Sequence, residues 1–269
     1  MQHLDHITWG LAITGAVTGA ALGLYLGDAG PISALFPSVV LFFAGYLLGT
    51  IRLLSGHELK NVLIIFILFL FSIVFWMTFE QSGSSLTLFA DRLTRTTIFG
   101  WNFPSSWFPS VQAIFVILLA PAFAYLWNWM GDRQPSSAGK FVYGLLFAGL
   151  AFVVITLASM VSGGERVTPF WLVLVYFLQT LGELCLGPVG LSTVTKLAPA
   201  RMVGLMMGVW FLSISIGSYI AGLSTRFFAG NETLVLVRTF GTFAAVTLIA
   251  AFVLMVLTPF IKKLSPHAV

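Results

Sequence analysis

Charged residues are scarce in this chain. Only 8% of its 269 residues are aspartate, glutamate, lysine or arginine, whereas 58% are hydrophobic, and the mean hydropathy is +1.00. A soluble domain carries about 25% charged residues. The apolar runs are about 20 residues long, which is the length that a helix needs to cross a bilayer, and they lack the short alternation of a membrane β-barrel. We therefore predict an all-α integral membrane protein.

Cysteine and histidine are also rare, which limits the chemistry that the chain can perform. The single cysteine, Cys185, excludes an internal disulfide and a Cys-x-x-Cys metal site. The four histidines lie near the ends or in a loop (His3, His6, His57 and His267), so we expect no metal site in the membrane and no cofactor. A serine nucleophile would lack a histidine base at membrane depth. We therefore do not expect an enzyme. No basic patch interleaved with aromatic residues indicates a nucleic-acid partner.

Eight apolar segments are long enough to cross a membrane. We place them at residues 8–27, 32–53, 61–92, 108–129, 140–162, 169–194, 203–225 and 236–261. The first two have almost no polar content, and glycine recurs at every fourth position from Gly15 to Gly27, which favours close helix packing. We therefore divide the chain into a transmembrane helical hairpin, residues 1–55, and a six-helix bundle, residues 56–269.

The distribution of basic residues predicts the orientation. Eight spans place both termini on the same side of the membrane. If that side is the cytoplasm, the inner loops contain every lysine of the chain, whereas the basic residues of the outer loops are all arginines. Because cytoplasmic loops are enriched in lysine and arginine, we predict cytoplasmic termini and a location in the inner (plasma) membrane.

Two carboxylates fall inside the predicted spans. Glu183 lies in the sixth, and Glu80 lies in the third, followed by the polar stretch Gln-Ser-Gly-Ser-Ser. The third helix either ends at Glu80, which places this acid at the interface, or continues to about Arg92; the apolar pattern that resumes at Leu86 favours the second interpretation. Both acids then lie about 18–21 Å below the outer surface, near the middle of a core about 30 Å thick, which favours one shared cavity.

The chemistry of such a cavity follows from its lack of a counter-ion. No lysine or arginine of the sequence is at that depth, and a charged group there costs roughly 2.5–3.5 kcal/mol. Burial without a basic partner favours the protonated form of a carboxyl group. The pair can therefore carry a proton, bind a cationic group, or do each in turn. The alternative for Glu183 is a structural acid that is hydrogen-bonded to a neighbouring helix. Gly187 and Pro188 predict a helix kink, because proline removes a backbone donor.

The segments Phe-Glu-Gln-Ser-Gly-Ser-Ser-Leu, at residues 79–86, and Gly-Glu-Leu-Cys-Leu-Gly-Pro-Val-Gly-Leu, at residues 182–191, resemble the proton-dependent oligopeptide transporters of the major facilitator superfamily. The resemblance extends from about residue 60 to the end of the chain. It implies helices seven to twelve of that fold. The two preceding spans are similar to the extra helical hairpin that bacterial members carry between their six-helix halves.

This resemblance implies uptake of di- and tripeptides, driven by a proton gradient through alternating access. It implies that Glu183 binds the amino terminus of the peptide and that Glu80 belongs to the proton site. It also implies that Trp76 and Trp210 form aromatic walls of the peptide pocket and that Gln112 contacts the peptide. The implied partners are therefore a di- or tripeptide, a proton and membrane lipid.

One departure from the family pattern is large. Helices one to six, which carry a Glu-x-x-Glu-Arg segment and a lysine in this family, have no counterpart here. Two interpretations follow. The chain is the C-terminal portion of a peptide–proton symporter that needs a separate N-terminal six-helix half, or it is a truncated, non-transporting membrane fragment. The start at Met1 is compatible with a separate gene, a mis-assigned start or a frameshift.

Overall fold

The computed structural model describes residues 6–26, 31–98, 100–228 and 233–264. These residues form the α-helices α1 (His6–Leu26), α2 (Pro31–Ile51), α3 (Gly56–Phe79), α4 (Ser85–Leu93), α5 (Phe108–Met130), α6 (Ser137–Ser162), α7 (Phe170–Leu197), α8 (Val203–Ser224) and α9 (Thr233–Leu264). Within the described residues, eight helical segments are long and apolar enough to cross a membrane. The predicted class, an all-α membrane protein with eight spans, is confirmed.

The third span differs in detail from both predictions. α3 ends at Phe79, residues Glu80–Gly83 form a 3-10 turn, and α4 continues the same apolar segment to Leu93. Glu80 therefore lies inside the span, as the second interpretation predicts, but the α-helix does not continue through it. Glycine is a poor helix former, and serine side chains compete for backbone hydrogen bonds.

The start of this span lies five residues earlier than predicted, at Gly56. The backbone N–H of Ser55 donates to Oε2 of Glu58 (2.9 Å), and the backbone N–H of Glu58 donates to Oγ of Ser55 (3.5 Å). This reciprocal pair is a capping box, which satisfies two backbone donors at the start of a helix. Its Ser-x-x-Glu pattern is visible in the sequence and could have corrected the boundary.

The α-carbon contacts divide the chain into two compact units, Met1–Leu63 and Ile64–Val269. In the first unit, α1 packs closely along α2. A Cβ atom added at Gly15 or at Gly19 would overlap the backbone of α2, at Leu41 and Pro37 respectively. The glycine stripe thus lets the two backbones meet; Gly27 lies outside the described residues. The division of the chain at residues 55 and 56 stays a prediction.

In the second unit, α7 is the central helix. It contacts α5, α6 and α8, and α6 also packs along α9. Gly144 and Gly182 allow α6 and α7 to approach closely, because a Cβ atom at Gly182 would lie 2.8 Å from the carbonyl oxygen of Gly144. Glu183 follows directly, so this close contact fixes the height of its backbone against α6.

The polar connection after α4 contacts the loop before α7. The backbone N–H of Val167 donates to the carbonyl oxygen of Leu93 (2.8 Å), and the backbone N–H of Arg95 donates to that of Val167 (2.9 Å). Thr97–Ile98 (β1) and Trp101–Asn102 (β2) then form a short antiparallel hairpin. These bonds hold the end of α4 beside the start of α7. The segment that follows Glu80 is therefore joined to the segment that precedes Glu183.

Candidate functional site

The structure brings the two acids of the spans together. Glu80 opens the 3-10 turn between α3 and α4, and Glu183 lies in the middle of α7. Both side chains are half-buried. Their carboxylates lie close enough to interact electrostatically, and among the described residues Glu80 is the charged group that acts on Glu183. The arrangement is a pair of acids, and no basic group among the described residues acts on Glu183.

Gln179 connects the two helices that carry these acids. Its side chain is 1% exposed, and its Nε2 donates to the backbone carbonyl oxygen of Thr78 at 3.5 Å. Thr78 belongs to the last turn of α3, whose carbonyl groups have no partner within the helix. Gln179 thus bonds to the end of α3, next to the turn that carries Glu80. Gln179 lies one turn before Glu183.

Gln81 holds the 3-10 turn against its neighbours. Its side chain is fully buried, and its Nε2 donates to Oγ of Ser224 on α8 (2.8 Å). Its Oε1 accepts hydrogen bonds from Oγ of Ser85 (2.6 Å) and from Oγ of Ser84 (3.2 Å). A single amide thus links the start of α4 and the end of α8 beside Glu80, and it stabilises the 3-10 turn there.

Trp76 lies one turn before Glu80, on the same helix. Its ring contacts those of Phe75 and Phe79 edge-on, with centroids 5.3 and 5.2 Å apart. Gly217 of α8 packs closely against Trp76, since a Cβ atom added at Gly217 would lie 2.6 Å from the Cβ atom of Trp76. The indole Nε1 is buried and has no hydrogen-bond partner among the described residues. Such a donor is unusual in a protein interior.

Trp210 is buried between α6 and α7. Its side chain is 2% exposed, its ring lies 5.8 Å from that of Phe141, and its indole occupies the space that a Cβ atom at Gly190 would take. In this conformation Trp210 therefore supports α7 by packing and does not present its ring to an open cavity. Its expected role as a wall of the peptide pocket stays a prediction.

Gln112 is a buried residue of α5, and the Gly187–Pro188 pair lies inside α7. Gln112 is 9% exposed on α5, and its Nε2 has no hydrogen-bond partner among the described residues. α7 runs from Phe170 to Leu197 as one helix that contains Pro188, and a Cβ atom at Gly187 would contact nothing within 4 Å. The kink at this pair stays a prediction.

The sequence reasoning missed Gln81, Gln179 and Tyr176. Tyr176 is fully buried, and its hydroxyl group has no partner among the described residues. Gln179 and Tyr176 are polar residues in an otherwise apolar segment, and this signal could have identified them, because buried polar groups need partners. Gln81 lies in the polar stretch after Glu80, which gives no such signal. Gln179 and Tyr176 precede Glu183 by one and two turns, so polar atoms accompany that acid along α7.

We expect Gly190→Ala to destabilise the protein, whereas Gly187→Ala does not. The added methyl group would overlap the indole of Trp210 in the first case and reach open space in the second. Overpacking of this kind costs about 1–3 kcal/mol. Thermal unfolding of both variants in the same detergent, followed by tryptophan fluorescence, measures the difference. Equal midpoints would show that Trp210 does not pack on Gly190.

Known proteins resemble this chain in sequence over most of its length. The sequence profile of the POT family matches residues 50–264. The chain belongs to the POT family. A peptide transporter, YePEPT, of Yersinia enterocolitica is 40% identical over 232 residues, which are 84% of this chain and 45% of that protein. A di-/tripeptide transporter of Lactococcus lactis is 34% identical over 221 residues, 80% of this chain and 44% of that protein.

Solved structures of POT family members have the same fold. A crystal structure of a variant of the peptide transporter POT in complex with alafosfalin is 37% identical, with a TM-score of 0.81 over 95% of this chain and 52% of that one. The chain thus spans about half the length of the relatives that it matches. Both family-specific segments, at residues 79–86 and 182–191, lie within the matched region.

Proposed function

We propose that this chain is the C-terminal portion of a proton-coupled di- and tripeptide symporter, which performs solute transport and not an enzymatic reaction. The observation that carries the proposal is the placement of two half-buried carboxylates, Glu80 and Glu183, within membrane spans that the Gln179–Thr78 hydrogen bond joins beside both acids. The names of the relatives support peptides as substrates, since they are a peptide transporter and a di-/tripeptide transporter.

The two acids have separate roles in this proposal. Glu183 binds the protonated amino terminus of the peptide, because a carboxylate in a partly desolvated site attracts an ammonium group strongly. Glu80 exchanges a proton with solvent. The repulsion between the two carboxylates couples these events: a proton on Glu80 removes one negative charge and makes a charged Glu183 less costly. Protonation thus prepares the site for the peptide.

The surrounding residues complete the pocket. The buried donors Nε1 of Trp76 and Nε2 of Gln112 lack protein partners among the described residues, so each can donate to a peptide or to an ordered water. We assign both to the peptide pocket, and Trp210 to its wall in a conformation that turns its ring outward. Gly187 and Pro188 provide the bend in α7 that such a movement requires.

Transport requires a second half of the protein. In alternating access the substrate site lies between two bundles that rock around it, and this chain spans about half the length of the relatives that it matches. We propose that a six-helix N-terminal half covers the acids and supplies the basic residues that the described spans lack at this depth. The assembly lies in the inner membrane with both termini of this chain in the cytoplasm, as the distribution of lysines indicates.

Uptake of a labelled dipeptide into vesicles tests this proposal. One preparation contains the chain alone, and the other contains the chain co-expressed with the six-helix N-terminal half of a relative. We expect accumulation against a gradient only in the second preparation, and its loss when a protonophore collapses the proton gradient. No uptake in either preparation, with the chain shown to be inserted in the membrane, would favour a non-transporting fragment.

A further inference from the structure

A groove lies between α6 and α9, away from Glu80 and Glu183. Its volume is about 560 Å³. The walls are mainly apolar and are formed in the middle by Tyr143, Leu146, Leu248, Phe252 and Met255. Tyr143, Phe252 and Met255 are 45%, 62% and 52% exposed, so large apolar side chains border an accessible space. The proposed transport does not use this groove.

The groove has the length of one leaflet of a bilayer. At its inner end α6 and α9 are in contact, because a Cβ atom at Gly149 would lie 2.7 Å from the side chain of Leu248. From Leu248 it extends to Lys262, the last lining residue of α9, a distance of about 21 Å along the helix. Half of the hydrocarbon core measures about 15 Å, so a groove of this length spans one leaflet and reaches its head groups.

Charge is concentrated at one end of the groove. Lys262 is its charged lining residue, and no carboxylate lines it among the described residues. Lys262 is exposed near the end of α9, and among the described lining residues Ser136, Tyr143 and Thr258 carry hydroxyl groups. Basic pockets between transmembrane helices bind the head groups of anionic lipids. A zwitterionic head group would gain less from a lysine without a neighbouring acid.

We propose that this groove binds one phospholipid with an anionic head group. An acyl chain packs along Leu146, Leu248 and Phe252, and Lys262 binds the phosphate group. The occupant is a lipid and not a second copy of this chain, because the groove runs along two membrane-spanning segments and combines an apolar wall with a positive end. This inference does not depend on peptide transport.

Native mass spectrometry of the full chain tests the head-group preference. The protein is released from detergent that contains equal amounts of dioleoyl phosphatidylglycerol and dioleoyl phosphatidylcholine. We expect a preference for phosphatidylglycerol that falls about fivefold in Lys262→Gln, the effect of one lysine near a membrane surface. Lys263→Gln is the matched control, because this neighbouring lysine does not line the groove. An unchanged preference in Lys262→Gln, or an equal loss in both variants, would overturn the proposal.

A second pair of variants tests the position of the acyl chain. Leu146→Trp fills the groove, whereas Leu150→Trp adds the same side chain one turn further along α6, at a residue of similar exposure (36% and 38%) that does not line the groove. We expect Leu146→Trp to remove one bound lipid of either type and Leu150→Trp to retain it. A change of oligomeric state in Leu146→Trp without loss of lipid would identify a protein occupant and refute the lipid site.

Discussion

Replacing Glu183 with glutamine is expected to lower dipeptide uptake by the assembled transporter at least about 100-fold. The amide keeps the size of the side chain but cannot balance the charge of the peptide amino terminus. Leaving a charged partner buried without its counter-ion costs about 3–5 kcal/mol, and no lysine or arginine of the described residues acts on this acid. Uptake of a labelled dipeptide into proton-energised vesicles measures the loss.

Two comparisons separate this effect from a general loss of structure. Glu165→Gln changes the same type of residue in the exposed loop before α7 and is expected to leave uptake unchanged. A dipeptide with an acetylated amino terminus is expected to inhibit uptake by the unmodified protein much more weakly than the free dipeptide does. The residual uptake by Glu183→Gln is expected to be inhibited equally weakly by both peptides. If the variant retains uptake, or discriminates against the acetylated peptide as the unmodified protein does, Glu183 does not bind the amino terminus.

Replacing Glu80 with glutamine is expected to separate proton coupling from peptide movement. The amide cannot exchange a proton, so accumulation of dipeptide driven by a proton gradient should fall to the level of vesicles treated with a protonophore. Exchange of labelled for unlabelled dipeptide across a membrane without a gradient should continue, because that reaction needs no net movement of protons and Glu183 remains. Both assays are carried out on the same vesicles.

The outcome of these two assays distinguishes the roles of the acids. Loss of both reactions in Glu80→Gln would place Glu80 in the peptide site itself, and retention of driven uptake would place the proton site elsewhere. Asp91→Asn is a suitable control, because this acid lies on α4, downstream of the break, and bonds to Ser105 (3.2 Å) at an exposed position. It is expected to retain both reactions.

The sequence predicted the spans well because hydropathy acts over 20 residues and tolerates local errors. It predicted the interruption at Glu80 poorly. A 3-10 turn inside a span depends on partners that replace the lost helical hydrogen bonds. Here the side chain of Gln81 bonds to Ser85 of its own segment and to Ser224 on α8. The second partner is 143 residues away along the chain, so no local pattern predicts it.

The site shows the same limit. Helix length alone predicted one depth for Glu80 and Glu183, because rise per residue is nearly constant. In the structure a hydrogen bond from Gln179 to Thr78 joins their two helices beside both acids, and the shared cavity stays a prediction. The position of Trp210 could not be predicted in this way. It depends on the absence of a side chain at Gly190 and on the ring of Phe141, contacts that arise only when α6, α7 and α8 have packed.

The central claim is that Glu80 and Glu183 face one cavity, and chemical cross-linking tests it most directly. Cys185, the only cysteine, is first replaced by serine, and Glu80→Cys and Glu183→Cys are then combined and treated in membranes with a short bifunctional thiol reagent. The control pair joins Glu80→Cys with Ser192→Cys, which lies about 14 Å further along α7 and on its opposite face. The account predicts a cross-link within the chain for the first pair alone. Failure of the first pair to cross-link, with each cysteine shown to react singly, would contradict a shared cavity.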